Sequence, residues 1–172
     1  DRSSELNSLK VLLKQQRELL ESEASYKAFI ANSSEAIWCY DMVPPISLDH
    51  AIEMQVELMA EHARLSQGNK VLVTMLGAKS LQDIIGMGLR DSGSTRYAFD
   101  LQYFVKNKYQ MNDHDIVRED SKGRRFYFQI SCVGVIENNC LTRVWGTTKD
   151  VTVGKRYQQK LEYISLHDSL TG

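Results

Sequence analysis

The chain has 172 residues, 42% of them hydrophobic and 25% charged, with a formal net charge of −1. That length holds one domain of about 100–150 residues plus extended ends, and so even a charge creates no field selective for nucleic acid or an anionic membrane. No apolar run approaches the roughly 20 residues of a membrane span and no signal peptide is visible, so the reading is a cytoplasmic segment without membrane contact of its own. The chain opens on Asp1 rather than Met. It therefore reads as a piece of a longer protein, and that protein can carry a membrane anchor upstream.

Cys39, Cys132 and Cys140 are an odd number with no C-x-x-C spacing, as expected of reduced residues in and around a core. They provide too few ligands for a structural zinc. His50, His62, His114 and His167 are scattered, with no metal-binding arrangement.

Residues 4–30 read as one helix. Leu6, Leu13 and Leu20 recur every seven residues with Leu9, Leu12 and Leu19 beside them, and Gln16 interrupts the stripe. Such a helix is about 40 Å long, and so narrow a stripe is marginal in isolation. It either pairs with a second copy through Leu6, Leu9, Leu13 and Leu20, or folds back on its own domain. Residues 1–30 form this segment, and Asn32-Ser33-Ser34 ends it.

Ala36 to Met42 is rich in strand formers, and Pro44-Pro45 is expected to end that strand. Ser47 is placed to cap a helix over about 48–67, with Asp49 in its first turn and Ile52, Val56, Met59 and Ala63 on one face. Asn69 begins a second helix, Lys70 to Leu76, stopped by Gly77. Ser80 to Leu89 reads as a short helix with Leu81, Ile84 and Ile85 inward, followed by a loop at Asp91-Ser92-Gly93-Ser94. A helix over Thr95 to Lys106 then puts Tyr97, Leu101, Phe104 and Val105 on one stripe.

The period changes at this point. Tyr109–Glu119, Arg124–Glu137 and Leu141–Asp150 alternate every two residues, joined by turns at Asp120-Ser121-Lys122-Gly123 and Glu137-Asn138-Asn139. They form an antiparallel meander, and the fold class is α+β. From Thr152, the expected N-cap, a final helix carries Tyr157, Leu161 and Ile164 at i, i+4, i+7.

One strand, several helices and a meander closing on Trp145-Gly146-Thr147-Thr148-Lys149-Asp150-Val151-Thr152 resemble a PAS domain. That likeness covers roughly residues 25–152, with the domain itself at 31–152. His167-Asp168-Ser169-Leu170-Thr171-Gly172 in turn resembles the first turn of the GGDEF family, the diguanylate cyclases of cyclic-di-GMP signalling. Residues 153–172 would then be an outgoing signalling helix and the first residues of that output domain. The resemblance implies an antiparallel PAS-like sheet with helices packed on one face, flanked by helices at both ends. It also implies a sensor that controls a C-terminal cyclase in cis and works as a homodimer, because two cyclase domains must meet over two GTP molecules. Two departures stand out: the helix at 48–67 is longer than is usual, and a second short strand is not legible.

The glycine-rich hairpin and metal-binding acids of a cyclase do not occur within 1–172, so this segment is not expected to be an enzyme. Haem-type members place a histidine on the helix before the meander. Residues 95–106 have none and His114 falls in a polar Asn-Asp-His-Asp loop, so haem is disfavoured. Light-sensing members use a cysteine on a helix beside the flavin; Cys39 sits on a strand, so flavin is disfavoured too. No metal or other cofactor is evident. Trp38, Tyr40, Tyr103, Phe104 and Trp145 could line a cavity for a small ligand, with Gln129 and Ser131 as polar handles, or the aromatics simply fill the core. Alternation leaves open whether Phe126, Phe128, Ile130 and Cys132 face inward, or Tyr127, Gln129, Ser131 and Val133. In the sensor reading Asp150 and Thr152 couple the last strand to the outgoing helix, and Val153, Tyr157, Leu161 and Ile164 carry the change between protomers. The other reading is a ligand-free dimerisation and spacer module.

Overall fold

The computed structural model describes residues 1–89 and 97–171, without the side chains of 97–99, 170 and 171. The expected loop at 91–94, the start of the next helix at Thr95, the side chain of Tyr97 and Gly172 lie outside the described residues. Helix α1 (Arg2–Asn32) is capped by Asp1, whose carboxylate accepts from the Ser3 amide at 3.3 Å, and buries none of its side chains. The domain from Glu35 onward is a separate unit.

That domain is built on one sheet of order β2-β1-β5-β4-β3, antiparallel throughout. Its strands are β1 (Ala36–Ser47), β2 (Ala63–Gly68), β3 (Gln110–Glu119), β4 (Arg125–Glu137) and β5 (Cys140–Asp150). Helices α2 (Ile52–His62), α3 (Lys70–Met75) and α4 (Tyr97–Lys106) fill the long connections, and α5 (Thr152–Thr171) leaves after β5. This is the PAS-like α+β architecture expected, and the three meander strands fall within one residue of the sequence reading.

Residues 63–68 correct the helix expected over 48–67. The helix ends at His62, and Ala63 and Leu65 are buried on either side of an exposed Arg64, the two-residue period of a strand. Ala63 also stands one helical turn after Met59, so the helix-period stripe runs into the strand without a break. The short strand missing from the sequence is β2. Ser47 does not cap α2 either: it is the last residue of β1, its hydroxyl accepts the Asp49 amide at 3.2 Å, and α2 starts behind Ala51 with no side-chain cap.

Pro44-Pro45 does not end β1, which runs to Ser47 with the Val43–Pro44 bond cis. Pairing with β5 skips from Asp41 to Ile46, and pairing with β2 ends at Met42. The prolines therefore sit where no ladder amide is required, the kind of irregularity in which proline is tolerated. The segment 80–89 is a 3₁₀ turn at Leu81–Asp83 rather than a helix, with Ile84 buried and Ile85 exposed. Turn chemistry is as expected elsewhere: Asn138 and Asn139 both have positive φ between β4 and β5, and Asp120 accepts the Lys122 and Arg124 amides at 2.9 Å.

The main core lies between the sheet and the helices, where Ile46, Met59, Phe104 and Leu141 are almost fully buried. Each such side chain contributes about 1.5–3 kcal/mol. A second cluster, Ala36, Leu65, Leu72, Val73 and Ile84, lies under α3. Asn69 ties it to β1: its Oδ1 accepts the Ile37 amide at 3.1 Å and the Leu72 amide at 3.0 Å, so it caps α3 while satisfying the sheet edge. The open choice on β4 is settled too. Phe128 and Cys132 are buried on the helix side and Val133 is exposed on the other.

Gly146 allows the closest approach in the sheet. A Cβ there would overlap the Trp38 indole, which lies across the opposing glycine. At the strand's end the expected Thr152 cap is replaced by a clasp. Thr152 is buried; its hydroxyl accepts the Tyr127 amide at 2.9 Å and donates to the Tyr127 carbonyl at 3.2 Å. Asp150 does the work at the helix start instead, accepting the Thr152 amide at 2.9 Å, while the Val151 carbonyl accepts the Lys155 amide.

Two outcomes follow from this geometry. Gly146→Ala must displace an aromatic ring or a strand, so it should cost about 1–3 kcal/mol, read as a lower midpoint in urea unfolding; an unchanged midpoint would contradict the close approach. Thr152→Val keeps shape but strips the Tyr127 backbone amide of its hydroxyl partner. Amide hydrogen exchange should then rise at Tyr127 with Val144 still protected, and equal protection at Tyr127 would show that the clasp does not form.

Candidate functional site

A cavity of about 140 Å³ opens between the inner face of the sheet and the helices. Its floor follows from the alternation of the strands. Trp38, Tyr40 and Met42 come from β1, Val144 and Thr148 from β5, and Ile130 and Cys132 from β4. The helices close it with Met59, Met75, Leu101 and Phe104. Trp38 meets Tyr40 edge to face at 5.5 Å, and its indole N–H donates to the Thr148 hydroxyl at 2.8 Å. The one polar atom of the indole is thereby satisfied inside an apolar wall. Phe104 is likewise held edge-on by Tyr109 at 5.9 Å. The Tyr109 hydroxyl donates to the buried Gln55 at 2.6 Å, and Gln55 in turn donates to the His50 carbonyl at 2.8 Å. That chain of bonds locks α2 to the α4–β3 turn.

The wall is polar at one end. β3 carries an irregularity between Met111 and His114, with Asp113 at φ 47°, which turns His114, Ile116 and Arg118 toward the helices. His114 was expected in a solvated loop. It is instead a strand residue, paired at 3.1 Å with Asp100 of α4 and stacked on the Tyr103 ring at 4.5 Å. Asp100 and Arg118 both line the cavity. The Arg118 guanidinium lies over the Phe128 ring at 5.3 Å, and its Nε is buried without a hydrogen-bond partner. Burial lowers the pKa of this guanidinium from its ordinary value, offset by the Tyr40 hydroxyl and the Asp100 carboxylate.

Of the seven expected lining residues, Trp38, Tyr40 and Phe104 are in the wall. The other four are elsewhere. Tyr103 is exposed and covers His114 from outside. Gln129 and Ser131 point to the opposite face, where Gln129 donates to Asp115 at 3.3 Å and Ser131 accepts the Asp113 amide at 3.0 Å. Trp145 lies on that outer face as well, across from Cys39 and Val133. Large apolar groups occur on both faces of these strands, so aromatic content alone could not assign a side. Thr148, Asp100 and Arg118 were missed. The available signals were a lone acid beside the apolar stripe of α4 and an arginine in phase with Ile116.

Cys132 is the cysteine in the wall, and burial pushes its thiol up to about 12; burial also pushes Cys39 up to about 11. Neither is a thiolate at neutral pH. Among the described residues no three His, Cys, Asp or Glu are placed to hold a metal ion, and no helix is long and apolar enough to cross a membrane. On α5, Val153, Tyr157, Leu161 and Ile164 are all exposed, Val153 by 84%. The α1 residues Leu6, Leu9, Leu13 and Leu20 are exposed too.

No protein-family model matches the chain, and no curated protein matches it in sequence. Solved structures do match. An RNA-binding light-oxygen-voltage receptor is 17% identical with a TM-score of 0.55, over 87% of this chain and 38% of that one. The present chain thus spans well under half of that receptor. The PAS domain of a protein from Colwellia psychrerythraea is 18% identical with a TM-score of 0.51, over 78% of this chain and 98% of that domain. At such identities the likeness is one of fold, and the fold of this chain is of the PAS and light-oxygen-voltage type.

Proposed function

We propose that the chain is a regulatory sensor module that holds a small ligand in the cavity between sheet and helices, pairs with a second copy through its terminal helices, and controls a diguanylate cyclase domain following residue 172. One observation carries this reading. β4 contributes Ile130 and Cys132 to the cavity wall, and on the same strand Tyr127 holds Thr152 at the start of α5. A ligand that prefers one position of β4 would thereby bias the outgoing helix, a shift between two packings of one structure. Asp150 and Thr152 are the coupling pair, and Tyr157, Leu161 and Ile164 the surface through which protomers would feel the change. Support for the output domain comes from His167-Asp168-Ser169-Leu170-Thr171-Gly172. The segment works as a regulator, and catalysis belongs to the domain it controls.

In this reading the occupant is neither a haem nor a flavin. No imidazole faces the cavity, since His114 is bonded to Asp100 and stacked on Tyr103. A volume of about 140 Å³ is close to the roughly 150 Å³ of a cavity that admits benzene, which suits one ring rather than three. The wall cysteine is on a strand and protonated.

Native mass spectrometry of the 172-residue chain tests both halves of the reading. The expected result is a dimer carrying a recurrent stoichiometric small molecule that is released on denaturation. A dimer with an empty cavity would favour the spacer module instead. Replacing Leu13 and Leu161 by Lys should convert the dimer to monomer and, in a longer protein that includes the output domain, change cyclic-di-GMP production several-fold. An unaltered dimer and output would overturn the control scheme.

A further inference from the structure

Among the described residues, Arg118 is the one that lines the cavity and has a buried side-chain nitrogen without a hydrogen bond. Its Nε is buried, makes no hydrogen bond, and belongs to a cation held over the Phe128 ring at 5.3 Å. A buried donor without an acceptor costs about 1–3 kcal/mol, more when charged. Such orphans are rare in folded proteins and call for a missing partner. The nearest carboxylate in the wall, Asp100, is already taken by His114 at 3.1 Å and makes no ion pair with Arg118. The rest of the wall, including Tyr40, Phe104, Ile116 and Ile130, is apolar in its bulk.

We propose that the cavity takes a small monocarboxylic acid, with an apolar body the size of a single ring or a short branched chain, whose carboxylate is received by the Arg118 guanidinium. This rests on the ligand-binding reading above and names its chemical class. A carboxylate matches the planar guanidinium fork with two parallel hydrogen bonds. A phosphate carries nearly twice the charge into a wall that has one cation, and its desolvation is correspondingly harder to offset. The apolar body would occupy the space beside Trp38 and Phe104, both fixed by their own partners. His114 keeps the neighbouring Asp100 hydrogen-bonded at 3.1 Å, and the Arg118 Nε–H is left as the donor that an incoming carboxylate meets.

The test compares benzoate with its neutral analogue benzyl alcohol, by titration calorimetry and thermal shift, on the whole 172-residue chain and on Arg118→Met and Arg118→Lys. The expected result is benzoate binding at least tenfold tighter than the alcohol. Arg118→Met should abolish that preference while keeping the alcohol, and Arg118→Lys should retain part of it. Equal affinity of the unaltered chain for the two compounds would overturn the carboxylate assignment and leave the cavity as a neutral site, with water meeting Arg118. Binding of neither would overturn this inference, while the sensor reading is decided by the native mass spectrum. Since the comparison on the unaltered chain decides by itself, a failure of either variant to fold does not blunt the test.

Discussion

The contact of Trp38 with β5 is the constraint from which the rest of the domain follows. The indole lies on Gly146 because no other residue would leave room, and its N–H ends on Thr148 two residues further along the same strand. This fixes the register of β1 against β5 at Trp38 opposite Gly146, and a slip of one residue would turn every inward side chain outward. With the register fixed, Tyr40, Met42 and Val144 are committed to the helix side, and the cavity has a floor. The edge strand β2 is then held in place on the far side of β1 by the same alternation, with Leu65 opposite Tyr40.

The motif Trp145-Gly146-Thr147-Thr148-Lys149-Asp150-Val151-Thr152 can be read in this light as a set of separate physical tasks. Gly146 makes space and Thr148 accepts a hydrogen bond, both for Trp38. Trp145 covers the outer face opposite Cys39, where its bulk does not compete with the cavity. Asp150 meets the first helical amide and Thr152 closes on Tyr127. The local spacing looks like a helix cap, because a threonine before a polar helix is the usual sign of one. Its hydroxyl is diverted by a backbone N–H and C=O of β4, a partner 25 residues away in sequence that no local pattern reveals.

Much of the fold was legible because the meander and its turns announce themselves locally, through alternation and through residues that tolerate positive φ, such as Asn138 and Asn139. The failures have one origin in common. At Ala63–Gly68, at Pro44-Pro45 and along β4, the deciding partner is remote: a vacant edge of β1, a gap in the β1–β5 ladder, and the helices that cover one face. Met59 and Ala63 satisfy a helical period and Ala63 and Leu65 satisfy a strand period, so the sequence permits both and pairing with β1 selects. For the site, the apolar half of the wall was found in part. Its polar end was not, since Asp100 and His114 meet only when the β3 irregularity near Asp113 turns the strand.

That polar end also explains how a wall so apolar can tolerate both Asp100 and Arg118. Asp100 and His114 satisfy each other, and Tyr103 shields them from solvent by stacking on the imidazole. Arg118 has instead the face of Phe128, which offsets the charge of a guanidinium but offers nothing to its directed N–H. The two arrangements differ in completeness, and the difference is local to β3. Phe128 follows Tyr127 directly on β4, so the ring under the guanidinium and the backbone that grips Thr152 belong to adjacent residues on opposite faces of one strand. In the proposed relay this adjacency is the shortest route from the cavity to α5. A change in how Arg118 is occupied would act on the Phe128 ring, and the rigid alternation of the strand would pass it to the clasp without any need for the sheet as a whole to move.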